Sequence, residues 1–281
     1  MRETQPHRLA AFDYDGTITQ PHGASVSGTV KRGIAALWHS GIMTTVLTAR
    51  PYQRLVGVSG GIDTVVSPQV PLATERGARI VDAAKQSNYK YYPLSAYVLG
   101  VVAAMPKQTV DFVGFYPEEL HGMSFIWTPD PGRNDAMTAQ FGHDAHILPN
   151  DLTALQTALQ QANPCLVTVR FTDETPGNKA LLPQDLNTAW SHKTVSIVMA
   201  GVDKLSALEA LNQATGSQFR TTIYAGNDTN DLPVLSHPEL HERIFVGEQP
   251  IAGIAEPFTT VLTPDALGEY LVQLAKDRHD F

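Results

Sequence analysis

The chain has 281 residues, of which 43% are hydrophobic and 17% are charged. At roughly 150 residues per domain this length predicts about two domains, and the composition excludes a disordered, collagen-like or coiled-coil protein. The net charge is −8 and there is no run of lysine or arginine, which argues against nucleic acid or an anionic membrane as a partner. The single cysteine, Cys165, excludes an internal disulfide, and its apolar neighbours predict a buried strand residue.

Targeting signals are not evident in the sequence. Residues 1–8 lack the apolar stretch of a signal peptide, and the longest strongly apolar stretch, residues 98–105, is too short to span a bilayer. We therefore expect a soluble cytoplasmic protein without a membrane partner.

Strand-like and helix-like segments alternate in the first third of the chain. In order, the pattern predicts a strand at 9–12, a helix at 30–40 that stops at Gly41, and a strand at 42–47. A short helix at 51–56, with Pro51 in its first turn, and a strand at 64–66 follow. This alternation predicts a parallel sheet with helices on its faces.

The pattern changes after residue 81. Helices are predicted at 95–104 and at 151–161, the second capped by Asn150 or Asp151, and strands at 109–116, 123–128, 165–171 and 194–199. Strands separated by fewer helices indicate an α+β domain at 82–199, inserted into an α/β core made of 1–81 and 200–281.

The alternating pattern returns in the last third. A helix is predicted at 203–215, with Gly216 as its stop, followed by strands at 221–225, 243–246 and 259–262 and a closing helix at 266–276. These elements complete the predicted parallel core.

Polar clusters follow three of the predicted core strands. They are residues 13–17 (Asp-Tyr-Asp-Gly-Thr), 48–50 (Thr-Ala-Arg) and 226–231 (Gly-Asn-Asp-Thr-Asn-Asp). Because ligands bind beyond the carboxyl ends of the strands in an open parallel sheet, these clusters are expected to converge. A fourth segment places Lys204 at the start of a helix. Carboxylates for a hard cation, together with a hydroxyl, a lysine and a helix N-terminus for an anion, are typical of magnesium-assisted phosphoryl transfer.

The order of these motifs resembles the haloacid dehalogenase-like (HAD) phosphatase superfamily. Residues 13–17 match its first motif, Asp-x-Asp-Gly-Thr; Thr48, Lys204 and residues 226–231 match the second, third and fourth. The inserted domain resembles the cap of subfamily IIB, the Cof-like sugar phosphatases, and so do the strings at 75–78 and 201–204. The resemblance implies a Rossmann-like core with helices on both faces of a parallel sheet, and an α+β cap that selects the substrate.

The resemblance also implies catalytic roles. Asp13 is the expected nucleophile, which forms an aspartyl-phosphate. Asp15 is the expected general acid, then general base. Thr48 is expected to donate its hydroxyl to a phosphoryl oxygen, and Lys204 to neutralise phosphoryl charge and position Asp13.

Phosphate and metal contacts are expected from the same motifs. The expected phosphate-binding residues are Gly16, Thr17, Ala49, Arg50 and Asn230. The expected Mg²⁺ ligands are Asp13, the backbone carbonyl of Asp15, and the fourth motif through Asn227, Asp228 and Asp231. Asn227 departs from the family, which usually has aspartate at this position, so an uncharged amide replaces a carboxylate ligand.

We therefore expect a Mg²⁺-dependent phosphomonoester hydrolase that acts on a sugar phosphate or a similar small phosphorylated metabolite. Two alternatives stay open: a phosphomutase, which would return the phosphoryl group to a second hydroxyl, and a phosphate-binding protein with weakened catalysis, which Asn227 favours. The sequence does not predict an oligomeric state.

Two further patterns are interpreted as structural. Residues 57–61 read Gly-Val-Ser-Gly-Gly, the string of a nucleophile elbow, but the strand-before, helix-after context is wrong. The pairs His143/His146 and His237/His241 have helical metal spacing without a clear third ligand, which indicates surface histidines.

Overall fold

The computed structural model describes residues 7–20, 25–56, 62–141, 145–174, 177–178, 181–182 and 186–277. The chain divides into two compact units, Met1–Lys90 with Asp203–Phe281, and Tyr91–Val202. The sequence places the boundaries after residues 81 and 199. In the structure the first unit extends to residue 90, because the strand at Ser87–Tyr91 joins a small sheet with the strands at Leu72–Thr74 and Arg79–Asp82.

The first unit contains a parallel sheet. In its described residues the strand order is β14-β13-β12-β1-β2, and every neighbouring pair is parallel. The strands are β1 (His7–Phe12), β2 (Met43–Val46), β12 (Ser217–Gly226), β13 (Glu242–Val246) and β14 (Thr259–Val261). A second sheet contains β3 (Leu72–Thr74), β4 (Arg79–Asp82) and β5 (Ser87–Tyr91).

Helices cover both faces of the parallel sheet. Consecutive residues of β1, from Leu9 to Phe12, are all fully buried although they point alternately to opposite faces. The helices of this unit are α1 (Gly28–His39), α2 (Tyr52–Val56), α6 (Lys204–Thr215), α7 (Leu232–Leu235) and α8 (Pro264–Asp277). The predicted helix ends are confirmed: α1 ends just before Gly41 and α6 ends at Gly216. Both glycines have left-handed backbone conformation.

The strand predicted at 64–66 is wrong. Ile62–Thr64 forms a 3-10 turn, and the amides of Val65 and Val66 both donate to the carbonyl of Ile62. The Val65 carbonyl accepts from the Thr44 side chain at 2.6 Å. Because these backbone groups are satisfied within the turn and by a side chain of β2, residues 64–66 pack against β2 as a turn and do not form a strand.

The second unit is a largely antiparallel α+β domain. Its described strands follow the order β10-β11-β9-β6-β7-β8, in which only the pairing of β7 with β8 is parallel. They are β6 (Val110–Phe115), β7 (Ser124–Trp127), β8 (Ala145–Ile147), β9 (Val167–Phe171), β10 (Asn187–Ser191) and β11 (Thr194–Val198). The helices are α3 (Ala96–Ala103), α4 (Asn134–Phe141) and α5 (Leu152–Ala162). Asp151, one of the two candidate caps, caps α5, and Cys165 is buried as predicted.

The core of this unit lies mainly on one face of its sheet. Val98 of α3 and Leu155 of α5 share a buried cluster with Val169 and Ile197 of the sheet. A smaller cluster joins Met137 of α4 to Phe112, a strand residue outside the main cluster. The fold is therefore a Rossmann-like parallel core with an inserted α+β domain, the predicted class. No helix in the described part of the chain is both long and apolar enough to cross a membrane.

Candidate active site

Three polar segments meet at the carboxyl edge of the parallel sheet. β1 and β12 are neighbours, with Phe12 opposite Ala225, so the segments that follow them run side by side. The amide of Asp13 donates to the Ala225 carbonyl at 2.9 Å, and the amide of Leu47 donates to the Phe12 carbonyl at 2.8 Å. Sheet order thus brings the segments that carry Asp13, Thr48 and Asn227 together.

Lys204 lies between two buried carboxylates. Its position is set by Asp203, whose side chain caps α6 in a capping box with Ser206. The Lys204 ammonium is 2.7 Å from Asp13 Oδ1 and 2.5 Å from Asp231 Oδ1, and its side chain is 2% exposed. One positive charge therefore holds two carboxylates at the centre of the site.

Asp231 uses both carboxylate oxygens within the protein. Oδ1 accepts from the Tyr224 hydroxyl at 2.5 Å as well as from Lys204, and Oδ2 accepts from the amides of Asn227 and Asp228 at 3.0 Å each. Gly226 permits this approach, since a Cβ atom there would lie 2.5 Å from Asp231 Cγ. Tyr224 is a site residue that the sequence analysis missed, and no motif signals it.

Burial and neighbouring charges shift the titration of these groups. Burial raises the pKa of Asp13 to about 7; the nearby Asp231 adds to the rise and Lys204 opposes it. For Lys204, burial favours the neutral amine, but the two carboxylates outweigh it and raise the pKa, so the side chain is an ammonium. Burial, reinforced by Asp231, raises the pKa of Tyr224 well above its usual value, which keeps the phenol protonated as a donor.

Three oxygens converge beside Asp13 in a geometry that suits a small cation. The side-chain oxygen of Asn227 lies 3.1 Å from Asp13 Oδ2 and 3.1 Å from the Asp15 carbonyl. We call Asp13 Oδ2, the Asp15 carbonyl and Asn227 Oδ1 the oxygen triad. Octahedral Mg²⁺ with bonds of about 2.1 Å places neighbouring ligand oxygens about 3 Å apart, so the distances from Asn227 fit this ion.

The amide of Asn227 has two usable orientations. With its oxygen toward Asp13 and the Asp15 carbonyl, the amide accepts a hydrogen bond from the Thr17 hydroxyl at 3.2 Å. Turned over, its nitrogen donates to Asp13, to the Asp15 carbonyl and to Thr17 at 3.1–3.2 Å. An amide can thus serve as a cation ligand or as a hydrogen-bond donor at the same position, which a carboxylate cannot do.

Gly16 makes room for Asn227. It has a φ of +79°, and a Cβ atom there would lie 2.2 Å from Asn227 Nδ2. Both the backbone conformation and the contact require glycine, so the first and fourth motifs fit together only because residue 16 has no side chain.

Asp15 is held by Arg50. The guanidinium donates from Nε to Asp15 Oδ2 at 2.7 Å and from Nη2 to Oδ1 at 2.5 Å. Arg50 also lies over the ring of Tyr14, 5.0 Å from its centroid. The two side chains are 24% and 38% exposed, so this is a bidentate pair open to solvent. Tyr14, through its contact with Arg50, is the second site residue, after Tyr224, that the sequence did not indicate.

The other predicted residues occupy different environments. Thr48 is buried, and its hydroxyl accepts from the amide of Arg50 at 3.1 Å. Ala49 is exposed, and Asn230 Oδ1 is enclosed without a hydrogen-bond partner among the described residues. Asp228 is exposed, and its carboxylate accepts from the backbone and side chain of Thr229.

The histidine pairs noted in the sequence form no metal site among the described residues. No group of three or more His, Cys, Asp or Glu side chains there is arranged to hold a metal ion. His237 stacks on Phe219 with ring centroids 3.8 Å apart, and His146 packs edge-on against Phe125. Residues 57–61 and His143 lie outside the described residues.

The chain belongs to the haloacid dehalogenase-like hydrolases. The sequence profile of that family matches residues 10–241, a range that includes all four motifs. No curated protein matches the chain by sequence.

Solved structures share the fold of the whole chain. BT1666 from Bacteroides thetaiotaomicron, described among phosphatases of the HAD superfamily, is 17% identical with a TM-score of 0.74, and the match covers 97% of both chains. BT4131, described as a HAD subclass IIB sugar phosphatase, is 14% identical with a TM-score of 0.75 over 95% of this chain and 98% of that one. TM0651 from Thermotoga maritima is 16% identical with a TM-score of 0.71 over 95% and 97%. The chain therefore shares its fold with these HAD-superfamily proteins, one of which is described as subclass IIB.

Proposed function

We propose that the chain is a magnesium-dependent phosphomonoester hydrolase that acts through an aspartyl-phosphate. The observation that carries the proposal is the buried lysine between two carboxylates, with Lys204 2.7 Å from Asp13 and 2.5 Å from Asp231. This arrangement places a positive charge beside the Asp13 carboxylate at the edge of the sheet. An anionic, tetrahedral phosphoryl group matches that pairing of nucleophile and cation.

The oxygen triad would hold the Mg²⁺, which supplies positive charge against the repulsion between carboxylate and phosphate. We assign Asp231 to holding Lys204 and the fourth-motif loop, because its two oxygens already accept four hydrogen bonds. Asn227 then takes the fourth-motif ligand position, and Asp228 lies outside the triad. This narrows the fourth-motif candidates for the metal from Asn227, Asp228 and Asp231 to Asn227.

In the first half-reaction, Asp13 attacks the phosphorus atom and a new bond forms from its carboxylate oxygen. The bond from phosphorus to the ester oxygen breaks, and Asp15 gives that leaving oxygen its proton. Lys204 and the Thr48 hydroxyl hold the phosphoryl oxygens during the transfer.

In the second half-reaction, water attacks the same phosphorus atom and gives a proton to Asp15. The bond between phosphorus and Asp13 breaks, which restores the carboxylate and releases inorganic phosphate. Asp15 ends with the proton that it lost in the first step, so the cycle balances.

Asp15 must leave Arg50 and take up a proton, from the phosphate monoester or from solvent, before it can protonate a leaving group. The ion pair that holds it is partly exposed, so solvent screens it and its cost of opening is small. Two oxygens of a phosphate group can accept from a guanidinium side by side, as the two oxygens of a carboxylate do. Arg50 would therefore exchange Asp15 for substrate phosphate, which agrees with its expected phosphate-binding role.

The substrate class is proposed by similarity. BT4131, which shares the fold, is described as a sugar phosphatase. The inserted α+β domain, 82–199 by sequence, would act as the cap that selects a small phosphorylated sugar or a similar metabolite. Fold similarity at this identity supports the class and leaves the substrate to experiment.

Hydrolysis of an aryl phosphate with and without Mg²⁺ tests the proposal. We expect Mg²⁺-dependent turnover that Asp13→Asn lowers by about 10⁴-fold or more, while the variant stays folded at the assay temperature and still unfolds cooperatively. Full activity of Asp13→Asn, or activity that only Ser59→Ala removes, would refute it. Dependence on a bisphosphate activator would indicate a phosphomutase. Binding of phosphate without turnover would indicate a phosphate-binding protein, which the neutral Asn227 favours.

A further inference from the structure

A left-handed turn lies behind the site and the proposed mechanism does not use it. Three consecutive residues have positive φ: Glu75 at +52°, Arg76 at +61° and Gly77 at +95°. Left-handed backbone is unfavourable for side chains other than glycine, and two such residues in succession are rare. Strained backbone of this kind persists only where its surroundings hold it, and it concentrates at functional sites.

The turn is held by buried charge. Glu75 is 1% exposed, and its carboxylate lies 2.8 Å from Arg79 Nε, which is also fully buried. The Thr74 hydroxyl donates to the same carboxylate at 3.0 Å. These contacts fix the side chain of the first left-handed residue and so oppose relaxation of the turn.

One side of the turn holds the second motif. The amide of Glu75 donates to the Arg50 carbonyl at 2.9 Å, and the amide of Arg76 donates to the Thr48 carbonyl at 3.0 Å. The Thr48 amide in turn donates to the Ala73 carbonyl at 3.0 Å. The two strained residues are thus backbone donors to Arg50 and Thr48, two of the residues that we expect to contact phosphate.

The other side of the turn packs against the start of α6. A Cβ atom on Gly77 would lie 2.3 Å from the Asp203 carbonyl oxygen and 2.9 Å from Ala207 Cβ. Lys204 follows Asp203 directly. The turn is therefore in contact with the elements that carry Thr48 and Lys204, at opposite sides.

We infer that the turn of residues 75–77 is a positioning element that sets the distance between Thr48 and Lys204. Glu75 and Arg76 act through these two residues and do not touch the substrate; the inference rests on the proposed function. A phosphoryl group that is gripped from two elements tolerates little error in their spacing, and a misplacement of about 1 Å costs about 100-fold in rate.

A matched pair of substitutions tests the turn. Arg76→Asn and Arg76→Thr both remove the guanidinium, but asparagine tolerates left-handed backbone and the β-branched threonine does not. We expect kcat of Arg76→Thr to be about tenfold or more below that of Arg76→Asn, and inorganic phosphate to bind it more weakly. Hydrogen exchange at the amides of residues 75 and 76 should be faster in Arg76→Thr alone.

Measurements are made on fully folded protein, well below each melting temperature. If Arg76→Thr does not fold, the milder pair Arg76→Gly and Arg76→Ala makes the same comparison, because glycine adopts positive φ freely and alanine does not. Gln86 provides a control: it has a φ of +52° in the exposed turn between β4 and β5. Gln86→Asn and Gln86→Thr should differ in melting temperature and have equal kcat.

Four outcomes overturn the inference or separate it from the proposed function. The inference is overturned if hydrogen exchange shows a loosened turn in Arg76→Thr while the two Arg76 variants have equal kcat and equal phosphate affinity. The inference is also overturned if kcat differs between the two Gln86 variants as much as between the two Arg76 variants, because backbone strain anywhere in the unit would then lower kcat. If the wild type binds inorganic phosphate but hydrolyses no ester, the proposed function fails, and phosphate affinity and hydrogen exchange still decide the role of the turn. A wild type that neither hydrolyses esters nor binds phosphate overturns both.

Discussion

Replacing Asp231 by asparagine keeps the size of a fully buried side chain and removes its negative charge. The carboxylate accepts four hydrogen bonds, from Lys204 and Tyr224 on one oxygen and from two backbone amides on the other. Asparagine replaces one of these oxygens by an NH2 group. That group then faces either the two backbone amides, which cannot accept a hydrogen bond, or the Lys204 ammonium and the Tyr224 hydroxyl, of which only the hydroxyl can accept. In either orientation at least one buried N–H is left without a partner.

The magnitude follows from what is left unpaired. A buried donor without a partner costs about 1–3 kcal/mol, and removing one partner of a buried ion pair costs about 3–5 kcal/mol. Lys204 keeps Asp13 as a partner, so we expect the free energy of unfolding to fall by about 3 kcal/mol. At about 2–4 °C per kcal/mol for a unit of this size, the melting temperature should fall by roughly 6–12 °C.

Thermal unfolding of wild type and Asp231→Asn at pH 8 with a chelator present measures this effect. Asp228→Asn is the control, because its exposed carboxylate should contribute within about 0.5 kcal/mol. If Asp231→Asn melts within about 2 °C of the wild type, Asp231 does not hold Lys204 and the fourth-motif loop as proposed. A difference that appears only on addition of Mg²⁺ would show that Asp231 is a metal ligand instead.

Three other changes probe the oxygen triad and the nucleophile. Asn227→Asp adds a charged ligand, so it should lower the Mg²⁺ concentration that gives half-maximal aryl phosphatase activity about tenfold. Without Mg²⁺ it should lower the melting temperature, because the new carboxylate lies near Asp13. Equal Mg²⁺ titration curves of wild type and variant would count against the oxygen triad. Gly16→Ala should raise the Mg²⁺ requirement, because its Cβ atom displaces the Asn227 amide; an unchanged titration would contradict the close contact. The pKa of Asp13 is about 7 in the folded chain and about 4 unfolded, so between these values the unfolded state binds fewer protons and folding loses stability as pH rises. Without divalent cations, the melting temperature of wild type relative to Asp13→Asn should therefore fall from about pH 4 to pH 7, and a constant difference would show that the pKa is not raised.

Local patterns in the sequence determined most of the secondary structure and the inventory of the site. Helix α6, for example, begins at a capping aspartate and ends at a left-handed glycine, and both signals lie within the helix and its flanks. The alternation of strands and helices determined the parallel core, because a parallel sheet needs a crossover between its strands. The four motifs in order pointed to phosphoryl transfer because each lies where a strand ends or a helix begins.

The tertiary structure alone decided how these residues pair. Lys204 reaches Asp13 across 191 positions, and Asp231 turns toward that lysine and toward Tyr224. The left-handed conformation of Glu75 also has no local signal, since glutamate prefers right-handed backbone and is held here by Arg79 and by contacts to the Thr48 segment. Such pairings depend on which strands are neighbours and on which charges are buried together. These quantities arise only when distant segments pack, so no local pattern encodes them.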